Sequence, residues 1–119
     1  KKTIDIKLAI SAYISDDYTH EDRVRLELYR RLSKASDIQD IYKIEEEMED
    51  RFGKPDIFTK QFIELIIIKI LALNLGIQSI SSYEMNITFT KANDTKETIK
   101  SPSKDDDDII ATTLRYLRK

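Results

Sequence analysis

"IFTKQFIELIIIKILALNL", residues 57–75, is apolar almost all round, and how it is read decides the fold. Its Ile66-Ile67-Ile68 run suits a strand, because β-branched side chains favour a pleated backbone. The apolar stretch is longer than a typical strand, however, and Gly76 follows it as a helix stop. We therefore read a buried helix at the centre of the core. A helix with so little polar surface must be covered on several sides, by a sheet and by other helices. Glu64, Lys69 and Asn74 interrupt the run from Phe62 to Leu75, which also falls short of the roughly 20 apolar residues of a membrane span.

Working outward toward the N-terminus, two amphipathic helices are expected. Ile41, Ile44, Met48 and Phe52 share one helical face. Ser36 and Gln39 form a capping-box pattern ahead of them, and Gly53 and Pro55 end the helix. Before that, Val24, Leu28, Leu32 and Ala35 define a helix running to about Ser36, with Thr19 as its N-cap and Asp22 in its first turn. Ile4, Ile6, Leu8, Ile10, Ala12 and Ile14 alternate with polar or small residues, the period of a half-buried strand.

Toward the C-terminus the period of two returns. Ile77–Ser82 reads as a short strand, and Met85, Ile87 and Phe89 mark a second. Asn93-Asp94 is a turn signal, after which Thr95–Lys100 completes a hairpin. Pro102 breaks the chain, and Asp105–Asp108 lead into a last helix carrying Ile110, Leu114 and Leu117. The order β-α-α-α-β-β-β-α predicts an α+β fold: one N-terminal strand, three helices, a small antiparallel sheet and a C-terminal helix. A length of 119 residues suits a single domain over residues 1–119.

Twenty basic and 22 acidic residues give a net charge of −2, so the surface as a whole is not built to bind a polyanion. The absence of cysteine excludes disulfides and thiolate metal sites and fits a reducing, cytoplasmic location. No signal peptide is visible, and the chain begins Lys-Lys, as expected of a domain excised from a longer protein.

The densest polar stretch is residues 12–32, with Asp16, Asp17, His20, Glu21, Asp22 and Glu27. It lacks HExxH, EF-hand and facial-triad spacing, and acids at a strand-to-helix turn favour the positive helix N-terminus. No nucleophile–base pairing and no phosphate-cradling glycine loop is present, so the chain itself is expected to be no enzyme and to hold no metal or cofactor. Asp105–Asp108 read as an acidic cap rather than a cation site. Residues 21–35 form a basic helix through Arg23, Arg25, Arg30, Arg31 and Lys34, which makes nucleic-acid contact an alternative. Glu21, Asp22 and Glu27 dilute that field. Glu47, Asp50 and Arg51 stand at i, i+3 and i+4 on one face beside Met48 and Phe52. From the residues alone this trio reads equally as a protein-interaction rim or as a Glu47–Arg51 helix pair.

The motifs "YISDDY" (13–18), "RLELYRRLSKAS" (25–36) and "EEEMEDRFG" (45–53), with an apolar helix ending "LNLGI" (73–77), carry a family resemblance. From about Leu8 to Ile80 the chain resembles the C-terminal domain of bacterial transcription-repair coupling factor. That family's pattern is an I-P-D-D-Y turn, an R-L-x-L-Y-[RK]-[RK] helix and E-x-x-D-R-F-G. Ser15 stands where the family has proline, and Lys54-Pro55-Asp56 shortens the segment after Gly53. The resemblance implies a parent that is an ATP-driven double-stranded DNA translocase. It would release RNA polymerase stalled at lesions and recruit excision repair through UvrA, with ATP and magnesium used by its other domains. It also implies that this domain packs on the parent's N-terminal domain and masks its UvrA-binding surface. The E-x-x-D-R residues of that contact carry over onto Glu47, Asp50 and Arg51.

Overall fold

The computed structural model describes residues 3–119. Eight elements follow in the expected order: β1 (Asp5–Lys7), α1 (Asp22–Lys34), α2 (Ile38–Phe52), α3 (Ile57–Asn74), β2 (Ile77–Tyr83), β3 (Asn86–Lys91), β4 (Lys96–Lys100) and α4 (Asp106–Leu117). The fold is α+β. The chain divides into two compact units, one formed by residues up to Ile10 together with Ile68–Lys119, the other by Ser11–Ile67. Among the described residues no helix is long and apolar enough to cross a membrane.

The first unit holds a four-stranded sheet in the order β1-β2-β3-β4. β1 runs parallel to β2, and the other two pairings are antiparallel, so the sheet is mixed and includes the N-terminal strand. β1 spans three residues, far shorter than the alternation from Ile4 to Ile14 suggests. The reason lies in the backbone. The Ala9 N–H donates to the Ser82 hydroxyl at 2.8 Å, and the Ile10 N–H turns back to the Leu8 carbonyl at 2.9 Å. Those groups are thereby withdrawn from a ladder. The side-chain alternation nevertheless continues, with Ile4, Ile6, Leu8 and Ile10 packed against the core.

That core joins Ile68 and Ala72 of α3 to Ile77, Ile80, Ile87 and Phe89 of the sheet and to Ile109, Ile110, Tyr116 and Leu117 of α4. Phe89 stacks on Tyr116 with ring centroids 3.9 Å apart. The Tyr116 hydroxyl reaches the polar edge and donates to Glu97 at 2.6 Å. Asp105 is the N-cap of α4, and Asp106, Asp107 and Asp108 fill its first turn, where the helix dipole favours negative charge.

The second unit carries α1, α2 and the first part of α3. Both expected N-caps are displaced. α1 starts at Asp22 with Glu21 as N-cap. Thr19 is instead buried, and its hydroxyl has no hydrogen-bond partner among the described residues. α2 is capped by Asp37, whose carboxylate accepts from the Gln39 N–H at 2.9 Å, not by Ser36. A carboxylate at that position combines capping with the favourable dipole. In α3, Ile63, Ile66 and Ile67 are buried as expected, but Ile57 is 59% exposed and Phe58 stacks on the exposed Tyr13 ring at 5.0 Å. The first turn of the apolar helix is therefore a surface feature.

Candidate functional site

The last turns of α2 carry Glu47, Met48, Asp50, Arg51 and Phe52. Met48 points inward and is 1% exposed, because it continues the Ile41–Ile44 stripe at helical spacing. The positions beside that stripe then fall on the rim. Glu47 receives both terminal nitrogens of Arg31, from α1, at 2.7 and 2.9 Å. Arg51 approaches the same carboxylate at 3.6 Å. The Glu47–Arg51 helix pair is thus present, and an arginine from another helix joins it.

The Arg31 hydrogen bonds hold the Glu47 carboxyl below the ordinary glutamate range, and the same pairing raises the Arg31 guanidinium. Asp50 is exposed, and its carboxylate has no ion-pair or side-chain hydrogen-bond partner among the described residues. The Arg51 guanidinium lies 4.8 Å from the centroid of the Phe52 ring. Phe52 in turn meets Tyr18 edge-on at 5.7 Å. The Tyr18 hydroxyl donates toward the Gly53 carbonyl at 2.7 Å, a group left over at the helix C-terminus, and toward the Met48 carbonyl at 3.2 Å. Burial, reinforced by Glu49, Asp56 and Glu45, pushes the Tyr18 phenol up to about 12.

The TRCF domain family model matches residues 8–101. This chain belongs to the TRCF domain family. Its sequence is 45% identical over 118 residues to the transcription-repair-coupling factor of Helicobacter pylori strain 26695, covering 99% of this chain and 12% of that protein. It is 32% identical over 78 residues to the transcription-repair-coupling factor of Rickettsia prowazekii, covering 66% of this chain and 7% of the relative. The chain therefore spans about an eighth of the Helicobacter relative's length. A crystal structure of the C-terminal domain of transcription-repair coupling factor superposes with a TM-score of 0.71 at 24% identity, over 75% of this chain and 55% of that one. At that identity the likeness speaks to the shared fold.

Within this TRCF domain the dense stretch of residues 12–32 does not converge on a centre. Asp16, Asp17, His20 and Glu21 are all exposed, and among the described residues they form no three-ligand group. The acids whose ligand atoms do lie within 4.8 Å of one another are Asp105, Asp107 and Asp108 at the start of α4. The basic helix of the TRCF domain is partly committed. Arg25 pairs with Asp22 and donates to the Thr19 carbonyl, and Arg31 is held by Glu47. Lys34 faces Lys43 of α2 across a shallow groove of about 430 Å³, lined also by Arg31, Ala35, Asp40 and Ile44. Sequence reading missed Tyr18 and Arg31 as parts of the site. Both lie in the resemblance motifs, but no local spacing links them to α2.

Proposed function

We propose that this chain is the regulatory C-terminal domain of a transcription-repair coupling factor, cut from a longer multidomain protein. Its α2 face would pack on the parent's N-terminal domain and mask the surface that binds UvrA. The parent would be an ATP-dependent translocase on double-stranded DNA that releases stalled RNA polymerase in the cytoplasm and directs nucleotide excision repair to the lesion. ATP and magnesium would serve its other domains, and this domain would contribute binding rather than catalysis.

The observation that carries the reading is the exposed Asp50–Arg51 pair on the ordered rim built by Glu47 and Arg31. Adjacent opposite charges over a fixed base select register and partner rather than supply raw affinity. That suits a contact which must open. A masking contact of about 3 kcal/mol keeps more than ninety-nine molecules in a hundred closed, yet yields to a partner that binds the open state better. Asp50→Lys in the full-length protein should raise both UvrA binding and DNA-stimulated ATPase activity. If both stay at the wild-type level, this face is not the mask.

The groove between Lys34 and Lys43 favours a second reading, a nucleic-acid-contacting module that uses the basic helix 21–35. Neither lysine has an ion-pair partner among the described residues. Strongly salt-dependent duplex binding, lost in Lys34→Glu/Lys43→Glu, would favour it. Absence of binding at low salt would remove it.

A further inference from the structure

We propose that Arg31 and Tyr18, neither of them on α2, are positioning residues that set the charge and the shape of the α2 contact face. The inference rests on the masking function proposed above.

Arg31 acts through Glu47. Its planar fork meets the two carboxylate oxygens at 2.7 and 2.9 Å, a geometry that fixes the orientation of both partners. Arg51 shares one of those oxygens at 3.6 Å. Glu47 is therefore turned toward its own molecule, and the trio does not present three equal charges. What remains for a partner is the free carboxylate of Asp50 and the outer side of Arg51. Without Arg31, Glu46, Glu47, Glu49 and Asp50 would make this turn strongly acidic, open to any basic surface. With Arg31, the face selects a partner that sets a cation opposite Asp50 and an acceptor opposite Arg51.

Tyr18 acts through the backbone. Met48 and Gly53, whose carbonyls its hydroxyl engages, bracket the four residues that include Asp50 and Arg51. One side chain thus ties both ends of the turn that carries the contact. Its ring also seats Phe52, over which Arg51 lies. This accounts physically for the pairing of a D-D-Y turn with a D-R-F-G helix end in one sequence: the tyrosine of the first holds the second.

The experiment uses the full-length coupling factor and reads UvrA affinity well below the melting temperature. Arg31→Met and Tyr18→Phe should each raise UvrA affinity about tenfold, within the usual range of coupling between sites. Arg31→Lys, which keeps the charge and loses the fork, should fold normally and give an intermediate gain. In an Asp50→Lys background, neither Arg31→Met nor Tyr18→Phe should add a further gain, because all three act on one contact. A purely structural role would lower the melting temperature and leave UvrA affinity unchanged. If Asp50→Lys unmasks UvrA binding while Arg31→Met and Tyr18→Phe do not, the positioning roles are overturned and the mask stands. If Asp50→Lys has no effect, the mask reading fails and takes the positioning roles with it.

Discussion

Arg31 of α1 and Glu47 of α2, 16 residues apart, meet through paired contacts of 2.7 and 2.9 Å. The pairing holds Glu47 below the ordinary carboxylate range. As pH falls, the unfolded chain takes up this proton before the native one does. The contribution to stability is therefore present above the usual glutamate pKa and is lost as pH drops through the lower, folded value. In Arg31→Met, an NMR titration should show the Glu47 carboxyl moving up toward its ordinary value, with a shallower loss of stability in acid. An unmoved Glu47 titration would mean that the fork does not persist in solution.

Ser15 occupies the place where the resemblance leads one to expect proline, and it uses what proline lacks. Its N–H donates to the Thr59 hydroxyl at 3.2 Å, and its own hydroxyl accepts from the Tyr18 N–H at 3.1 Å. Asp56 is partly buried, which pushes its carboxyl up. Hydrogen bonds from Thr59 and Ser15 outweigh that and hold it below the usual range. Ser15→Pro should cost about 1–3 kcal/mol through the buried groups left unsatisfied. Ser15→Ala, which keeps the N–H, should cost about 1 kcal/mol. Urea unfolding of the two variants orders them, and a stabilised Ser15→Pro would contradict this account.

Gly53 closes α2 with φ +88° and ψ −175°, a region that only glycine occupies without strain. A Cβ built there meets nothing within 4 Å. Gly53→Ala should therefore destabilise by about 1–3 kcal/mol from backbone strain alone. A crystal structure of the variant should show a displaced α2 end, not a repacked neighbour.

Phe89 and Leu26 give a contrast in burial. Phe89 is fully buried against Tyr116, and Leu26 is 62% exposed. Phe89→Ala should cost about 3–5 kcal/mol, whereas Leu26→Ala should stay within about 0.5 kcal/mol. Thermal denaturation followed by circular dichroism separates the two.

Tyr116 and Tyr18 both reach about 12, Tyr116 because its hydroxyl donates to Glu97 and Tyr18 because it is buried. Their native values lie above the unfolded value near 10. Their contribution is therefore complete below that pH and is lost as pH rises toward 12. Tyrosinate absorbance should appear together with unfolding, and Tyr18→Phe and Tyr116→Phe should each flatten the alkaline limb. Ionisation of both tyrosines near 10 in the folded protein would refute the assignment.

The element order was legible because periodicity is a local property. Buried Ile87 and Phe89 alternate along β3, and Ile41, Ile44 and Met48 recur along α2, as amphipathic strands and helices require. The same local rules placed Glu47, Asp50 and Arg51 on one face. Local rules fail where several neighbouring residues could each start a helix: the Asp37 side chain makes a capping hydrogen bond, whereas Glu21 caps α1 by backbone position alone. Thr19 and Ser36 look like caps, but Glu21 and Asp37 hold those positions once the chain is folded. The strand pattern from Ile4 to Ile14 describes side-chain burial correctly and the ladder incorrectly, because pairing depends on a partner strand more than 70 residues away.

By itself, then, the sequence determined an α+β order built around a buried isoleucine-rich helix, and membership of a family recognisable from three motifs. Tertiary structure decided which charges of the α2 face remain available. Arg31 and Tyr18 reach that face only because α1 and the turn before it fold back against α2. Hydrogen bonds between residues far apart in the chain leave no periodic trace in the sequence.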